Sequence, residues 1–290
     1  MIGREIAVFS SLALIWGTTW AVIRVGLHST PPLTGAALRF TLAALVLLVV
    51  ARLRGVRLGA PGAERRLWVQ SGILTFAVSY GVVYWAEQKV PSALAAVLFA
   101  TFPLWAAVLG HFFLPGERLT VRSALGVLLG FVGILVIFSS DLEATTPGLA
   151  GAALIFLISP FSAACGNLLI KKWGHGVPAL SLAAGPMLVG AALLGLGAAL
   201  FEDPTTATWD ARGIGAILYL ALVGSALAFT LYYWLLSRWP TLRVAMLTYV
   251  SPLVALTIGV LVFNETLTGR MVVGSGLVLG GVAVALARRG

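Results

Sequence analysis

The amino-acid sequence predicts an all-α integral membrane protein with ten transmembrane helices, arranged as two inverted five-helix repeats with both termini in the cytoplasm. Three observations predict this fold. The 290 residues are 60% hydrophobic and only 10% charged, with a mean hydropathy of +1.02, whereas a soluble domain carries about 25% charged residues. Ten apolar stretches are each about as long as a membrane-spanning helix. The second half of the chain also repeats motifs of the first half.

The ten apolar stretches follow one another closely, so no sizeable soluble domain fits between them. They cover residues 5–27, 32–51, 67–88, 91–114, 120–139, 148–170, 178–201, 212–237, 240–263 and 270–287. The first stretch follows Arg4 and could be mistaken for a signal peptide. It is too long for the apolar core of such a peptide, and no small-residue cleavage site follows it. We therefore expect it to be retained as a helix.

The net charge of +9 is distributed as in a multi-pass membrane protein. If the N-terminus is cytoplasmic, 14 basic residues fall on the cytoplasmic side and 5 on the opposite side. The five are Arg24, Arg39, Lys89, Arg212 and Arg270. Basic residues in short loops remain in the cytoplasm, so this asymmetry predicts that both termini are cytoplasmic. The basic charge is thereby explained without a nucleic-acid partner.

The internal repeat is clearest in the fourth and fifth predicted helices of each half. Residues 84–106 and 233–255 share 8 of 23 positions, and 116–134 resembles 264–282. We place the two repeats at residues 1–143 and 144–290. Because each half holds an odd number of spans, the second repeat enters the membrane from the opposite side, as in many secondary transporters.

Three prolines interrupt predicted helices and are candidate hinge or gating residues. Pro103 and Pro252 occupy equivalent positions of the repeat, and each frees a backbone carbonyl one turn earlier, at Phe99 and Thr248. Pro160 lies in the sixth predicted helix and has no counterpart in the first. An inherited structural kink without a gating role is an equally open interpretation.

Nothing in the sequence indicates catalysis, a metal site or a cofactor. Cys165 is the one cysteine, and no phosphate-binding or dinucleotide motif is present. No Asp or Glu lies near the centre of a predicted span, although an ionisable residue there is the usual mark of a proton relay. A facilitative carrier is therefore the simpler expectation.

Aromatic and polar residues at depth in the spans are the candidate ligand contacts. An aromatic near a helix end is more often an interface anchor, but a deeper hydroxyl, indole or amide group needs a partner. The predicted substrate-binding residues are Trp16, Thr19, Trp20, Tyr80, Tyr84, Phe99, Phe102, Asn167 and Tyr249. This set suits an uncharged or zwitterionic molecule with an apolar side chain, although aromatic faces also attract organic cations.

Two further motifs predict structural roles. Gly126 and Gly130 in the fifth helix, with Gly276 and Gly280 in the tenth, have the small-xxx-small spacing of close helix packing. Glu117 and Glu265 precede the predicted N-caps of the same two helices, Thr120 and Thr268, and we expect them to stabilise helix starts.

The chain resembles the ten-helix exporters of the drug/metabolite transporter superfamily, also called EamA-type. The resemblance rests on Trp16-Gly17, on Pro103 with the segment 116–120, and on Pro252 with the segment 264–268. Its aromatic richness is most similar to the amino-acid exporters of the YddG type. The resemblance implies a central cavity built by the first, third, fourth, sixth, eighth and ninth helices. The Trp-Gly motif has no counterpart in the second half, where residues 163–166 read Ala-Ala-Cys-Gly.

The sequence thus predicts a monomeric secondary transporter in the lipid bilayer of the bacterial inner membrane. We expect it to export small amphipathic metabolites, including neutral and aromatic amino acids, by alternating access. The alternative is an exporter of lipophilic drugs or organic cations. A membrane-embedded enzyme would need a convergent set of nucleophilic or acid–base groups, which the sequence lacks; a channel stays open as a further alternative.

Overall fold

The computed structural model describes residues 2–90, 92–139, 148–263 and 268–286, and the regular structure of these residues is entirely helical. This agrees with the predicted fold class. Two π-helical segments, Gly72–Ser79 and Leu222–Leu227, and a 3₁₀ turn at Pro204–Thr206 interrupt the α-helices. The α-helices are α1 (Ile2–Leu27), α2 (Pro32–Leu53), α3 (Ala63–Ser71), α4 (Tyr80–Ala86), α5 (Ser92–Phe99), α6 (Phe102–Phe113), α7 (Val121–Ile137), α8 (Leu149–Phe156), α9 (Ile158–Trp173), α10 (Ala179–Phe201), α11 (Ala211–Ala221), α12 (Ala228–Leu236), α13 (Thr241–Ala245), α14 (Leu247–Phe263) and α15 (Gly269–Leu286).

Seven continuous helical stretches of the described chain are long and apolar enough to cross a membrane, and three shorter apolar helices accompany them. The seven are Gly3–Leu27, Pro32–Leu53, Ala63–Ala86, Leu94–Phe113, Leu149–Trp173, Ala179–Phe201 and Ala211–Leu236. The shorter ones are Val121–Ile137, Thr241–Thr257 and Gly269–Ala285. All of them coincide with apolar stretches of the sequence, while ten membrane crossings stay a prediction.

Helices α7 and α11 begin where a side chain accepts a hydrogen bond from one of the first unpaired N–H donors. Thr120 caps α7 through a capping box, in which its Oγ1 accepts from Ser123 N at 3.2 Å and Ser123 Oγ accepts from Thr120 N at 2.9 Å. Asp210 caps α11 by accepting from Gly213 N at 2.7 Å. Pro32 occupies the first turn of α2, where a missing N–H costs nothing.

The two equivalent prolines have different structural consequences. In the first half, α5 ends at Phe99 and α6 begins at Phe102, so that Pro103 lies in the first turn of a new helix. In the second half, Pro252 lies inside the continuous helix α14, and the break comes earlier, at Met246. The two prolines therefore differ in helical position, because the first-turn position of Pro103 needs no N–H donor whereas the position of Pro252 lacks a helical bond. Their role as hinges stays a prediction.

Pro160 also lies in the first turn of an α-helix. The preceding helix α8 ends at Phe156, and α9 begins at Ile158, two residues before Pro160. The N–H that proline lacks would have no partner within the helix at this point.

The two π-helical segments occupy equivalent places in the repeat. A shift of 149 residues, the same as that between Pro103 and Pro252, carries Gly72–Ser79 onto residues 221–228, which enclose Leu222–Leu227. Wide turns of this kind are rare and leave backbone groups free for other partners. Their recurrence at one repeat position reinforces the internal duplication seen in the sequence.

The same equivalence governs how the helices pack. Helix α2 packs along α10, and α7 packs along α15, so equivalent helices of the two halves pair with each other. Helix α1 packs against α12 and α14 of the second half, while α9 packs against the π-helical segment Gly72–Ser79 and α6 of the first half. The chain is thus assembled almost entirely by contacts that have a counterpart in the other half.

Close approach of α7 and α15 is confirmed, but with a different set of glycines in α15. A Cβ on Gly126 would lie 2.7 Å from Gly281 O, and one on Gly133 would lie 2.7 Å from Gly274 O. By contrast, Gly276 has nothing within 4 Å, and Gly280 meets only Leu129 Cδ2 at 3.8 Å. Gly130 belongs to the contact as predicted, because a Cβ on Gly281 would lie 2.5 Å from Gly130 N, and a Cβ on Gly130 would also meet the ring of Tyr249. Gly126 and Gly133 are seven residues apart, as are Gly274 and Gly281, which places each pair on one helical face two turns apart.

Candidate substrate-binding cavity

A cavity of about 100 Å³ lies at the centre of the helix arrangement, between the two halves. Its wall includes residues of α1, the π-helical segment Gly72–Ser79, α4, α5 and α6 from the first half. Helices α9, α12, α13 and α14 contribute from the second half. These elements belong to the six predicted helices that the family resemblance implies, and Arg39 of α2 joins them.

Seven of the nine predicted ligand contacts come together in this wall. They are Trp16, Thr19, Trp20, Tyr80, Phe99, Phe102 and Asn167. The remaining two lie behind it. Tyr84 is buried and its hydroxyl accepts a hydrogen bond from Arg39 Nη1 at 3.3 Å. Tyr249 is turned toward α7, where its hydroxyl donates to Val127 O at 3.1 Å.

Aromatic rings along the cavity form two groups, and the larger one joins rings from both halves. Phe229 contacts Tyr80, with ring centroids 6.1 Å apart, and Trp16, at 5.6 Å. Trp16 continues the cluster to Tyr232 at 5.2 Å. A second group joins Trp20 of α1 with Phe99 at 5.7 Å. Offset and edge-on ring contacts of this kind hold apolar side chains in fixed positions.

Asn167 is the amide of the cavity wall and is held by a second-half tyrosine. Its Nδ2 donates to Tyr232 Oη at 2.6 Å, and only 5% of the residue is exposed. Two other polar atoms in the wall are buried without a hydrogen-bond partner, namely Trp16 Nε1 and Thr75 Oγ1. A buried donor without an acceptor is costly in an apolar surrounding, so these atoms are suited to meet polar groups of a bound molecule.

Arg39 corrects the assignment of charged residues to loops. The charge count placed it outside the membrane, but it lies seven residues into α2 and is fully buried. Its Nε donates to Ser225 Oγ at 2.7 Å, and its Nη2 donates to Gly224 O at 3.3 Å. Both acceptors belong to the π-helical segment Leu222–Leu227. A side chain counted as a topology signal is therefore part of the cavity.

The three prolines relate differently to the cavity. Pro252 lines it directly, next to Ser251 and Thr248 of the same helix. Pro103 and Pro160 are absent from its wall as described. The residue before Pro160 instead links two helices, because Ser159 Oγ and Ser79 Oγ lie 2.9 Å apart.

A polar cluster joins the helix ends on the side that the charge pattern assigns to the cytoplasm. Lys171 Nζ donates to Leu236 O and to Trp239 O, each at 2.8 Å, and lies 3.7 Å from Glu117 Oε1. Glu117 Oε2 accepts from Thr241 N at 2.8 Å, so this carboxylate stabilises the start of α13. Glu265, its counterpart in the repeat, lies outside the described residues.

The residues of the wall that sequence reasoning missed include Arg39, Phe229, Tyr232 and Ser251. The repeat contained a signal for one of them, because the same shift of 149 residues carries Tyr80 onto Phe229. The others follow from helix rotation and burial, which the sequence pattern does not specify.

The duplicated chain and its central cavity agree with the comparison with known proteins. The sequence profile described as "EamA-like transporter family" matches residues 4–139 and again residues 150–287. The chain belongs to this family. It is therefore a transporter of the drug/metabolite transporter superfamily rather than an enzyme by family membership.

Individual relatives of this EamA-like chain cover most of its length. It is 32% identical to the uncharacterized inner membrane transporter YedA of Escherichia coli (strain K12), over 89% of this chain and 82% of the relative. It is 30% identical to a probable amino-acid metabolite efflux pump of Salmonella typhimurium, over 94% of this chain and 91% of the relative. Together with the apolar helices, this similarity identifies a multi-pass protein of the inner membrane.

The EamA-like fold is also that of a solved structure. A crystal structure matches with a TM-score of 0.81 at 23% identity, covering 98% of this chain and 96% of the other. This likeness concerns the fold alone.

Proposed function

We propose that this EamA-like protein exports small amphipathic metabolites, among them neutral and aromatic amino acids, by alternating access to the central cavity. The observation that carries the proposal is the cavity itself, which lies between the halves and is walled by aromatic rings, hydroxyls and one amide. A wall of this composition suits a small molecule with an apolar side chain and a few polar groups. A relative named as a probable amino-acid metabolite efflux pump supports the same substrate class.

The proposal includes ten membrane crossings in two inverted repeats, residues 1–143 and 144–290, with both termini cytoplasmic. The boundary between them lies outside the described residues. Separate family matches on residues 4–139 and 150–287, and the equivalent π-helical segments, support the duplication. In such a transporter, the substrate leaves when one repeat rocks against the other around a fixed site.

Transport is proposed to be facilitative and to need only a monomer. The carboxylates of the described helical stretches lie at their ends, as Glu64, Glu87 and Glu117 do, and none of the described acidic residues lines the cavity. A proton relay through a carboxylate in the middle of the membrane therefore has no basis in this part of the chain.

An exporter of lipophilic drugs or organic cations is the second candidate, because the faces of Trp16, Trp20 and Tyr80 could attract a cation. The buried guanidinium of Arg39 opposes it. A fixed positive charge in the same cavity raises the free energy of a bound cation.

The test is counterflow uptake in proteoliposomes. Vesicles loaded with unlabelled amino acids receive labelled phenylalanine, methionine or threonine, with and without an imposed pH gradient. We expect uptake that needs no gradient and that Trp20→Ala strongly reduces. Trp105→Ala, a tryptophan that packs on Phe161 away from the cavity, is the matched control and should retain uptake. If no amino acid enters above protein-free vesicles, this substrate class is wrong.

A further inference from the structure

We infer that Arg39 is the carboxylate-binding residue of the cavity, so that preferred substrates carry a carboxylate beside an apolar body. This inference deepens the proposed function and rests on it for the role of the cavity. It is carried by the position of Arg39, by the charge balance of the wall and by an unpaired indole donor, Trp16 Nε1, in the same wall.

The position of Arg39 combines depth in a helix with a place in the cavity wall. Seven residues of helix separate it from Pro32, the start of α2, which corresponds to about 10 Å along the helix axis. Its guanidinium carbon lies 5.0 Å from the centroid of the Tyr80 ring, which also faces the cavity. The charge is thus held inside the apolar layer and at the edge of the aromatic cluster.

The charge balance of the cavity is positive. Arg39 is the charged residue of the described wall, and its acceptors Ser225 Oγ, Tyr84 Oη and Gly224 O are all neutral. A salt bridge joins Lys171 to Glu117, and neither residue lines the cavity. A charged residue inside a membrane pairs with another charge or with backbone carbonyls. Arg39 has the carbonyl of Gly224 but no described carboxylate within ion-pair distance, so the cavity is where an anionic group would enter.

Glu87, a buried carboxylate at the end of α4, does not supply this group. Glu87 ends the same helical stretch that carries Tyr84, but it lies beyond ion-pair distance of Arg39 and outside the cavity wall. Its two carboxylate oxygens are buried without a hydrogen-bond partner.

The wall also holds an unpaired donor next to the aromatic cluster. The indole Nε1 of Trp16 is buried without an acceptor, and an indole nitrogen can only donate. The guanidinium likewise has only donors, in a planar arrangement that matches a carboxylate. A carboxylate accepts without donating, so it complements both groups. The path of ring contacts from Tyr80 through Phe229 to Trp16 provides the surface for the apolar part of the ligand.

A purely structural role would predict something different. If Arg39 only ties α2 to Ser225 and Gly224, its replacement would lower stability and weaken all ligands alike. If it binds a carboxylate, its replacement changes the preference among ligands that share one apolar body. The decisive measurement is therefore a ratio of affinities rather than the total activity.

The experiment uses four probes with the same phenyl group: phenylalanine, 3-phenylpropionate, phenethylamine and 2-phenylethanol. Their binding to the purified full-length protein in detergent is measured by thermal shift, which needs no transport. We expect 3-phenylpropionate to bind about tenfold or more tightly than phenethylamine, with 2-phenylethanol between them. Equal or tighter binding of phenethylamine in the wild-type protein overturns the inference without any variant.

Variants then assign the preference to Arg39. Arg39→Gln should reduce the ratio between 3-phenylpropionate and phenethylamine to about threefold or less, and Arg39→Lys should retain part of it because the charge stays. Arg212→Gln, at the exposed start of α11, is the matched control and should keep the wild-type ratio. An unchanged ratio in Arg39→Gln contradicts the inference. If that variant does not fold, Arg39→Lys and the wild-type series still decide it.

The outcome separates the inference from the proposed function. Uptake of phenylalanine together with an unchanged ratio in Arg39→Gln would leave the transport proposal standing and reject the carboxylate site. Selective binding of 3-phenylpropionate through Arg39, without uptake of any amino acid, would keep the site and reject amino acids as the exported class.

Discussion

The two halves of this EamA-like chain meet along two surfaces of opposite character. Along the first, α7 and α15 approach until the backbone of Gly126 faces that of Gly281. Along the second, large aromatic side chains and the charged Arg39 surround an open cavity. Each surface is formed by elements that occupy equivalent positions in the two repeats. The two surfaces therefore differ in the size and polarity of their side chains rather than in topology.

This difference indicates how a duplicated membrane protein divides its tasks. Lipid supplies no hydrophobic force between helices, so firm association depends on close packing of small residues. The glycine contacts of α7 and α15 meet that requirement and leave no space for a ligand. The cavity leaves polar atoms such as Trp16 Nε1 unpaired, which is tolerable only where a ligand or water enters.

The largest effect is expected where the glycine contact is filled. Gly133→Val would place a side chain within 2.7 Å of Gly274 O and Val278 N, which should lower the unfolding free energy by about 3 kcal/mol. Gly276→Val is the matched control, because the same residue change at that site meets nothing within 4 Å. Thermal unfolding followed by size-exclusion chromatography measures both. Equal decreases in unfolding temperature for the two variants would show that the contact at Gly133 does not stabilise the pairing of α7 with α15.

In the cavity, we expect an intermediate effect from the amide. Asn167→Leu removes the bond to Tyr232 and leaves a buried hydroxyl unpaired, which should cost about 2 kcal/mol of stability. Tyr232→Phe removes the other partner. In the double variant the losses should be less than additive, since the unpaired group is gone. Strict additivity in thermal unfolding would contradict a direct hydrogen bond between the two side chains.

The polar cluster around Lys171 should give a smaller effect. Lys171→Gln removes an ammonium group that binds Leu236 O, Trp239 O and Glu117, at an expected cost of about 1 kcal/mol. If alternating access requires this cluster to open, the variant should also label faster at a cysteine placed in the cavity. Lys172→Gln, the exposed neighbour, should change neither quantity. Identical labelling rates in both variants would exclude a gating role.

The smallest effect is expected at a third contact between the halves, which lies outside both surfaces. There Ser29, which follows α1, donates to Asp210, which precedes α11. Hydrogen bonds from Gly213 N and Ser29 Oγ favour the ionised carboxylate and hold the pKa of Asp210 below its usual range. Their stabilisation is therefore complete above the usual pKa of about 3.9 and is lost as the pH falls through the lowered value. Asp210→Ser keeps a capping oxygen without titrating. Its deficit in thermal midpoint should shrink from pH 7 toward pH 3, and a constant deficit would contradict this account.

Sequence reasoning predicted seven of the residues that line the cavity. It could do so because an aromatic or amide side chain deep in a span needs a partner inside the protein. Trp16, Tyr80 and Asn167 were expected in the wall and lie there. Tyr249 satisfied the same criteria but is turned toward α7. Helical rotation about the break at Met246 decides that direction, and the apolar pattern around it is nearly uniform.

Tyr249 was expected in the wall and lies outside it, whereas Arg39 was not expected there and lies in it. Its place near the start of a predicted span indicated a loop charge, because a buried arginine is expensive in a membrane. The acceptors that make its burial tolerable, Gly224 O and Ser225 Oγ, come from the other half of the chain, 185 and 186 residues away. No local sequence pattern around residue 39 predicts these acceptors.

The sequence by itself determined that this protein is helical, crosses a membrane and is duplicated, because hydropathy, length and repeat matching are local properties of the chain. Its family membership also rests on sequence. The tertiary structure alone decided which glycines touch, which tyrosine faces the cavity and that Arg39 is buried within it. Those features depend on the rotation of each helix against partners distant in sequence, and a nearly uniform apolar surface leaves that rotation to packing.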